Sequence, residues 1–94
     1  MNIEIHGDKI LTELEFHKEI ARQFDVQHYY GKNLDALLDL LSWGVERPIN
    51  LIWFNSNISK EKLSCFEEIV FILEKVKCQD EQFNFEERFT YALA

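Results

Sequence analysis

Two carboxylates lie four residues apart in the middle of the chain, at Asp35 and Asp39. Side chains at this spacing are neighbours on a helix, where two like charges cost about 0.2–0.5 kcal/mol. Two tyrosines, Tyr29 and Tyr30, come just before the pair, and Trp43 comes just after it. Aromatic side chains around carboxylates are typical of a protein-binding surface that meets a cationic target. The pattern therefore predicts a contact site for a basic protein.

Two other interpretations of these carboxylates are open. Asp35 and Asp39, together with His28, could act as an acid–base or metal cluster, since paired carboxylates can divide such roles when their pKa values separate. However, the sequence has no phosphate loop, nucleophile motif or second ligand set beside them. We therefore expect no enzyme activity, no metal and no cofactor. The simplest interpretation is a solvated helix face that tolerates the repulsion.

The helix that would carry the pair has signals at both ends. Asn33 is a good N-cap, because its side chain can accept a backbone hydrogen bond from the first turn. An apolar stripe predicts a helix to about Ser42 or Trp43, and Gly44 and Pro48 favour its end there. The two aspartates fall about 130° away from this stripe. The stripe consists of Leu34, Leu37, Leu38 and Leu41.

Three further segments have strand patterns. Residues 2–6 alternate around two isoleucines, and residues 89–93 alternate again near the last residue. Phe83 and Phe85 alternate just before that last segment, so we expect a bulged or doubled strand there. Residues 49–54 (INLIWF) are almost all apolar, which is typical of a strand buried on both faces.

Other helices are predicted by capping patterns and apolar stripes. Thr12 and Glu15 form a capping box for a helix over residues 13–24. Ser59 is expected to cap a short turn, and Ser64 with Glu67 is expected to cap a helix from residue 66 to about residue 77. The apolar stripe of the first of these helices is predicted to contain Leu14, His17, Ile20, Ala21 and Phe24.

The order of these elements predicts the fold class. Strands separated by helical crossovers pair in parallel, and right-handed crossovers place the helices over the sheet. The sequence therefore predicts an α/β fold, a small three-stranded parallel sheet packed with about four helices. Residues 49–54, the most apolar strand, are expected in the middle, and residues 1–94 form one domain.

Charge and composition exclude several kinds of partner. Seventeen acidic against ten basic residues give a net charge of −7, which is the wrong sign for binding nucleic acid. No apolar run approaches the ~20 residues of a membrane span, so we expect no membrane contact and a cytoplasmic location. Cys65 and Cys78 are too far apart on one helix for a disulfide and are expected to be reduced and buried. His6 and His17 are assigned structural roles.

Residues 29–39 (YYGKNLDALLD) closely resemble the signature of the barstar family of ribonuclease inhibitors, which reads Tyr-Tyr-Gly-x-Asn-Leu-Asp-Ala-Leu-x-Asp. Chain length and element order agree with the same family, so the resemblance covers most of the chain and implies a barstar-like fold. It also implies an inhibitor, or immunity protein of a toxin–antitoxin pair, that occludes a basic active-site cleft. The expected partner is a basic microbial ribonuclease or nuclease toxin, and the free protein is expected to be a monomer.

The resemblance implies roles for single residues. Asp39 would occupy a substrate phosphate's place in the nuclease cleft, and Asp35 would form a second salt bridge. Tyr29 would pack on the enzyme, and Gly31 would allow the loop to turn sharply into the helix. The full set of expected partner contacts is Tyr29, Tyr30, Gly31, Asn33, Leu34, Asp35, Leu38, Asp39, Ser42, Trp43 and Glu46.

The chain departs from the family pattern at three places. Leu38 stands where the family often has Trp, and Trp43 precedes Gly44 where the usual order is Gly-Trp. An acidic contact on a later helix has two competing positions, Glu74 and Lys75. These departures bear on which ribonuclease is bound. The alternative function is an acidic protein-binding adaptor of the same fold without a nuclease partner.

Overall fold

A computed structural model describes all residues from Met1 to Ala94. Its sheet contains β1 (Asn2–His6), β2 (Ile49–Phe54) and β3 (Phe89–Leu93) in the order β1-β2-β3. Both pairings are parallel, with Ile3 opposite Leu51 and Leu51 opposite Tyr91. The predictions of a parallel three-stranded sheet and of a central strand at residues 49–54 are confirmed.

Four α-helices connect and cover the strands, as the sequence predicted. They are α1 (Glu13–Phe24), α2 (Leu34–Asp39), α3 (Ser56–Lys62) and α4 (Phe66–Gln82). A short 3₁₀ turn, Gly7–Lys9, follows β1, and a π-helical turn, Leu40–Gly44, continues α2. The prediction that α4 ends near residue 77 is wrong, because this helix continues to Gln82.

Only one face of the sheet is covered. Along β2 the side chains of Ile49, Leu51 and Trp53 are buried, whereas Asn50 and Ile52 between them are exposed. The prediction of a strand buried on both faces is therefore wrong. Since all helices pack on the same side, the apolar run in β2 reflects one buried face plus the exposed Ile52 on the other.

The core centres on Trp53. Its ring stacks on Phe16 at 5.2 Å and meets Phe66 edge-on at 5.1 Å. Its indole N–H donates to the hydroxyl of Ser59, 2.9 Å away, so Ser59 is a buried acceptor within α3 and does not cap a turn as predicted. A Cβ on Gly7 would collide with that hydroxyl and with the Asn55 carbonyl oxygen. The turn after β1 therefore needs a glycine to approach α3.

Two of the predicted helix starts have different outcomes. The Thr12 hydroxyl accepts from the Glu15 amide at 3.1 Å, while the Glu15 carboxylate accepts from the Leu11 amide at 3.0 Å. The capping box is confirmed, although Glu15 reaches one residue further back than expected. The capping box predicted at Ser64 is wrong, because Cys65 is the N-cap of α4 and no side chain caps it.

Burial corrects three further predictions. Leu14 is exposed, and Phe16 takes its place in the core, because the apolar stripe of α1 is rotated from the expected one. Both cysteines are free, but only Cys65 is buried, while Cys78 is exposed on α4. Phe83 and Phe85 stack on each other outside the sheet and do not extend β3.

A buried carboxylate joins three distant segments of the chain. Asp80 is 2% exposed, and its oxygens accept from Arg47 Nε at 2.7 Å and Nη2 at 3.0 Å. The Phe89 amide, at the first residue of β3, also donates to Asp80 at 2.7 Å. Burial alone would raise the pKa of Asp80, but hydrogen bonds from Arg47 and Phe89 and the charge of Arg47 outweigh it and lower the pKa. Asp80 therefore fixes α4 to β3 and to the segment before β2.

We predict that Asp80→Asn lowers the free energy of unfolding by about 3–5 kcal/mol at neutral pH, because it leaves the largely buried Arg47 guanidinium without its charge partner. Since the folded pKa of Asp80 lies below its ordinary value of 3.8, this stabilisation is present above that value and is lost as the pH falls through the folded pKa. Chemical unfolding followed across pH 2–7 measures both effects. Asp35→Asn, at an exposed carboxylate without an ion pair, is the matched control, and equal stability of the two variants would contradict the prediction.

Candidate functional site

The loop between α1 and α2 places one tyrosine inside and one outside. Tyr30 is 7% exposed and belongs to the core, whereas Tyr29 is 63% exposed. Both backbone amides donate to the Val26 carbonyl, at 3.2 Å for Tyr29 and 2.9 Å for Tyr30. The ring of His28 supports Tyr29 edge-on at 4.8 Å. The loop therefore presents one aromatic ring to solvent from a backbone anchored by the next residue.

The start of α2 follows the sequence signals closely. The Asn33 side chain accepts from the Ala36 amide at 2.8 Å, which confirms the predicted N-cap. The left-handed backbone conformation lies at Lys32, with φ of 54°, while Gly31 has no positive φ. A Cβ on Gly31 would come within 3.2 Å of the Ala36 Cβ. Gly31 thus allows close packing of the loop on α2, and Lys32 makes the turn.

Asp35 and Asp39 are both exposed, as their position away from the leucine stripe predicted. Neither carboxylate takes part in an ion pair or a hydrogen bond of the folded chain. Lys32 is the one Lys or Arg in the sequence from residue 25 to residue 46. The charges on this side of α2 are therefore not neutralised within the protein.

The leucine stripe is only partly buried as expected. Leu37 and Leu41 are fully buried, whereas Leu34 and Leu38 are half-buried, and Leu40 is buried without having been predicted. Leu40 lies three residues after the fully buried Leu37, and side chains three residues apart are neighbours on a helix surface. The leucine spacing in the sequence could therefore have indicated that Leu40 is buried.

A cavity of about 340 Å³ lies between the loop and the π-helical turn. Asp39 supplies its one charged side chain, and exposed Trp43 forms part of its wall. Ala36, Leu40 and Gly44 also line it, and sequence reasoning did not single them out. The predicted site residues that the structure brings together here are Tyr29, Tyr30, Gly31, Asp39 and Trp43.

Other predicted contacts lie outside this cavity. The Ser42 hydroxyl donates to the Gln79 side chain of α4 at 3.2 Å, so it faces the protein. Glu46 is exposed in a separate groove beside Arg47 and Pro48. The predicted contacts at the N-cap and in α2 that do not line the cavity are Asn33, Leu34, Asp35 and Leu38.

Glu74, a candidate for a further acidic contact, is engaged within the fold. Its carboxylate accepts from the Tyr91 hydroxyl at 2.7 Å and from the Cys78 thiol at 3.3 Å. These two hydrogen bonds lower the pKa of Glu74, with the larger effect from Tyr91. The same contacts join the exposed side of α4 to β3.

Comparison with known proteins agrees with the resemblance of residues 29–39. Residues 1–92 match the sequence model of a family described as barstar (barnase inhibitor). The chain belongs to the barstar family. A protein of Bacillus subtilis (strain 168) named "Putative ribonuclease inhibitor YrdF" is 35% identical to this barstar-family chain over 54 residues, which are 57% of the chain and 59% of the relative.

The barstar family is one of inhibitors, which argues against an acid–base role for Asp35 and Asp39. The match covers the whole of the cavity and all four helices, so the site belongs to the shared domain. No helix in the structure has the length and apolar character that would let it cross a membrane.

We predict that the buried leucine of α2 stabilises the fold and that the two exposed aspartates of the same helix do not. Leu37→Ala should lower the free energy of unfolding by about 2–5 kcal/mol, because it leaves a cavity in the core. Asp35→Ala and Asp39→Ala should change it little, since each removes a repulsion of about 0.2–0.5 kcal/mol. Thermal midpoints of the three variants measure this. Leu38→Ala, at a half-buried leucine of the same helix, is the control. A large loss of stability in either aspartate variant would show that the carboxylates have a structural role.

Proposed function

We propose that this protein inhibits a microbial ribonuclease by covering the enzyme's basic active-site cleft with α2 and the loop before it. The observation that carries the proposal is Asp39, an unpaired carboxylate in the wall of an otherwise uncharged cavity that three aromatic residues also line. A folded protein gains no stability from such a group. An unpaired charge between aromatic rings is suited to a partner that brings the opposite charge.

The chemistry of a ribonuclease cleft fits this arrangement. Such a cleft binds RNA phosphates and is therefore lined by Lys, Arg or His side chains. A carboxylate can take the place of a phosphate, because arginine donates paired, charge-assisted hydrogen bonds to either group. Asp39 would then occupy the phosphate position, and Asp35, one turn nearer the loop, would make a second salt bridge.

Two exposed rings that line the same cavity as Asp39 would extend the same interaction. Tyr29 is 63% exposed and Trp43 is 73% exposed, although both side chains are large and apolar. A guanidinium or imidazolium that reaches Asp39 would also meet the faces of these rings, where cation–π attraction adds about 0.5–2 kcal/mol. Aromatic residues at the centre of an interface often dominate its binding energy.

The proposed inhibitor is a monomer when free and protects the cell that makes the nuclease. Protection requires inhibition where cellular RNA is exposed, which places the protein in the cytoplasm. The proposal gives the free protein no catalytic activity, since no Ser, Thr, Cys, Lys or His side chain lines the cavity with Asp39 to act as a nucleophile or general base. An acidic adaptor without a nuclease partner remains the outcome if no ribonuclease binds.

The test is inhibition of purified small basic ribonucleases, beginning with barnase and with any nuclease encoded beside this protein. We expect stoichiometric loss of RNA cleavage and a stable one-to-one complex with at least one of them. If none is inhibited or bound while the protein is folded, the adaptor interpretation replaces the proposal.

We predict that Asp39→Ala weakens binding more than Asp35→Ala and does so mainly by raising the dissociation rate. Removing one partner of a desolvated charge pair costs about 2–5 kcal/mol, whereas charges at the rim cost little and act on the association rate. Surface plasmon resonance against the inhibited ribonuclease measures both rates. Asp25→Ala, at an exposed acidic residue beside α1, is the charge-matched control. Wild-type affinity in both α2 variants would leave the carboxylates with no role in binding.

We also predict that association is fast and slows as salt is added. A net charge of −7 attracts a basic cleft, and steering of this kind, for which the barnase–barstar pair is an established example, raises association rates by about 10–10³. The Debye length falls from about 10 Å at 0.1 M salt to about 3 Å at 1 M, so the attraction is screened. Stopped-flow mixing across this range gives the rate. An association rate that is flat with salt would exclude steering.

A further inference from the structure

A buried histidine connects α1 to the loop that carries Tyr29. His17 is 0% exposed, and both of its ring nitrogens have partners. Nε2 lies 2.9 Å from the Glu13 carboxylate one turn earlier in α1, and Nδ1 lies 2.6 Å from the Tyr30 hydroxyl. The proposed inhibition by Asp39 makes no use of this buried chain of polar groups.

The hydrogen-bond partners determine which nitrogen of His17 carries the proton. The ionised carboxylate of Glu13 can only accept, so Nε2 must donate to it. In a neutral imidazole Nδ1 then has the lone pair and accepts the hydrogen of the Tyr30 hydroxyl. Burial first, and the Glu13 charge second, raise the pKa of Tyr30, so its hydroxyl keeps the proton that it donates.

The Tyr30 hydroxyl holds the loop in a way that no other polar group does. The backbone amides of Tyr29 and Tyr30 both bond within the loop, to Val26, and the Gly31 carbonyl bonds to Asn33. The bond from Tyr30 to His17 is therefore the one hydrogen bond that joins residues 27–32 to an element outside the loop. The Tyr30 side chain also lines the cavity that contains Asp39.

We propose that Glu13, His17 and Tyr30 form a positioning relay that holds the loop, and with it Tyr29 and the cavity wall, in the shape that the ribonuclease meets. Glu13 acts on the loop only through His17, by keeping the proton on Nε2. The consequence for inhibition rests on the proposed function, whereas the effect on the loop is a property of the free protein.

Few other groups near His17 could change the position of its ring proton. The ring of Phe16 contacts His17 edge-on at 5.6 Å and cannot exchange a proton with it. The Cys65 thiol faces the same Glu13 carboxylate, and burial together with that charge raises the pKa of Cys65 to about 11. Cys65→Ala therefore serves as a control that alters a neighbour of Glu13 and leaves the relay in place.

The first experiment reads the proton position by nitrogen NMR of His17 in the free protein. We expect the proton on Nε2 in the wild type and in Cys65→Ala. Glu13→Lys replaces an acceptor by a donor, so the proton should move to Nδ1. Glu61→Lys makes an equal charge change at an exposed position of α3 and should leave the proton on Nε2. A wild-type proton on Nδ1, or no movement in Glu13→Lys, would overturn the relay.

The second experiment measures hydrogen exchange at the Tyr29 amide. Tyr30→Phe removes only the hydroxyl, and we expect exchange at Tyr29 to become about tenfold faster, the equivalent of one lost hydrogen bond, while exchange in β2 stays the same. Unchanged exchange at Tyr29 would overturn the relay whatever the ribonuclease does.

Two substitutions of His17 separate loop positioning from general destabilisation. The amide oxygen of asparagine in His17→Asn can replace Nδ1 as the acceptor for Tyr30, whereas the longer glutamine in His17→Gln reaches towards Glu13. At similar thermal midpoints, only His17→Gln should speed exchange at Tyr29. Equal exchange at the Tyr29 amide in the two variants would show that His17 acts on the loop only through packing.

Inhibition of barnase, or of the ribonuclease that the wild-type protein inhibits, completes the test. Tyr30→Phe should weaken inhibition about tenfold and Cys65→Ala should not weaken it. If Tyr30→Phe loosens the loop but the wild type inhibits no ribonuclease, the relay stands and the proposed function falls. If the loop loosens and inhibition by Tyr30→Phe is unchanged, the relay has no part in binding.

Discussion

The buried carboxylate of Asp80 is the contact on which the arrangement of the chain depends most. It joins α4 to the first residue of β3 and to Arg47, which follows the π-helical turn. Arg47 also donates to the Val45 carbonyl at 3.3 Å, directly after Gly44 in the cavity wall. The interaction that attaches α4 to β3 therefore also fixes the point where the chain leaves the candidate site.

Three aspartates of this protein fall into two groups with opposite surroundings. Asp80 is buried, and its hydrogen bonds from Arg47 and Phe89 offset the cost of burial. Asp35 and Asp39 are exposed, have no partner, and repel each other along α2. Only the first group stabilises the fold. The second lowers stability slightly, which is the usual relation between stability and a ligand-binding surface, the role that we propose for this side of α2.

The sequence predicted features that depend on local rules and missed those that depend on distant packing. The Asn33 cap, the Thr12 capping box and the parallel order of the strands follow from neighbouring residues and chain topology. Ser59 was misassigned because its partner, Trp53, is reached only through the tertiary fold. No local pattern indicated the π-helical turn either. In the site, the motif indicated the residues but not that Ser42 faces α4.

The two sides of the cavity are each attached to the core by a buried polar contact. In the loop, the Tyr30 hydroxyl bonds to His17. Just after the π-helical turn that contains Trp43, Arg47 bonds to Asp80. A binding surface that already has its final shape loses less conformational entropy when a partner docks, so more of the contact energy appears as affinity. Asp39 alone among the lining side chains carries a charge, and it lies between these two anchored walls. Its lack of an internal partner then fits the proposed function, because walls that are held in place cannot collapse to neutralise it and would leave the charge available for a cation of the proposed partner.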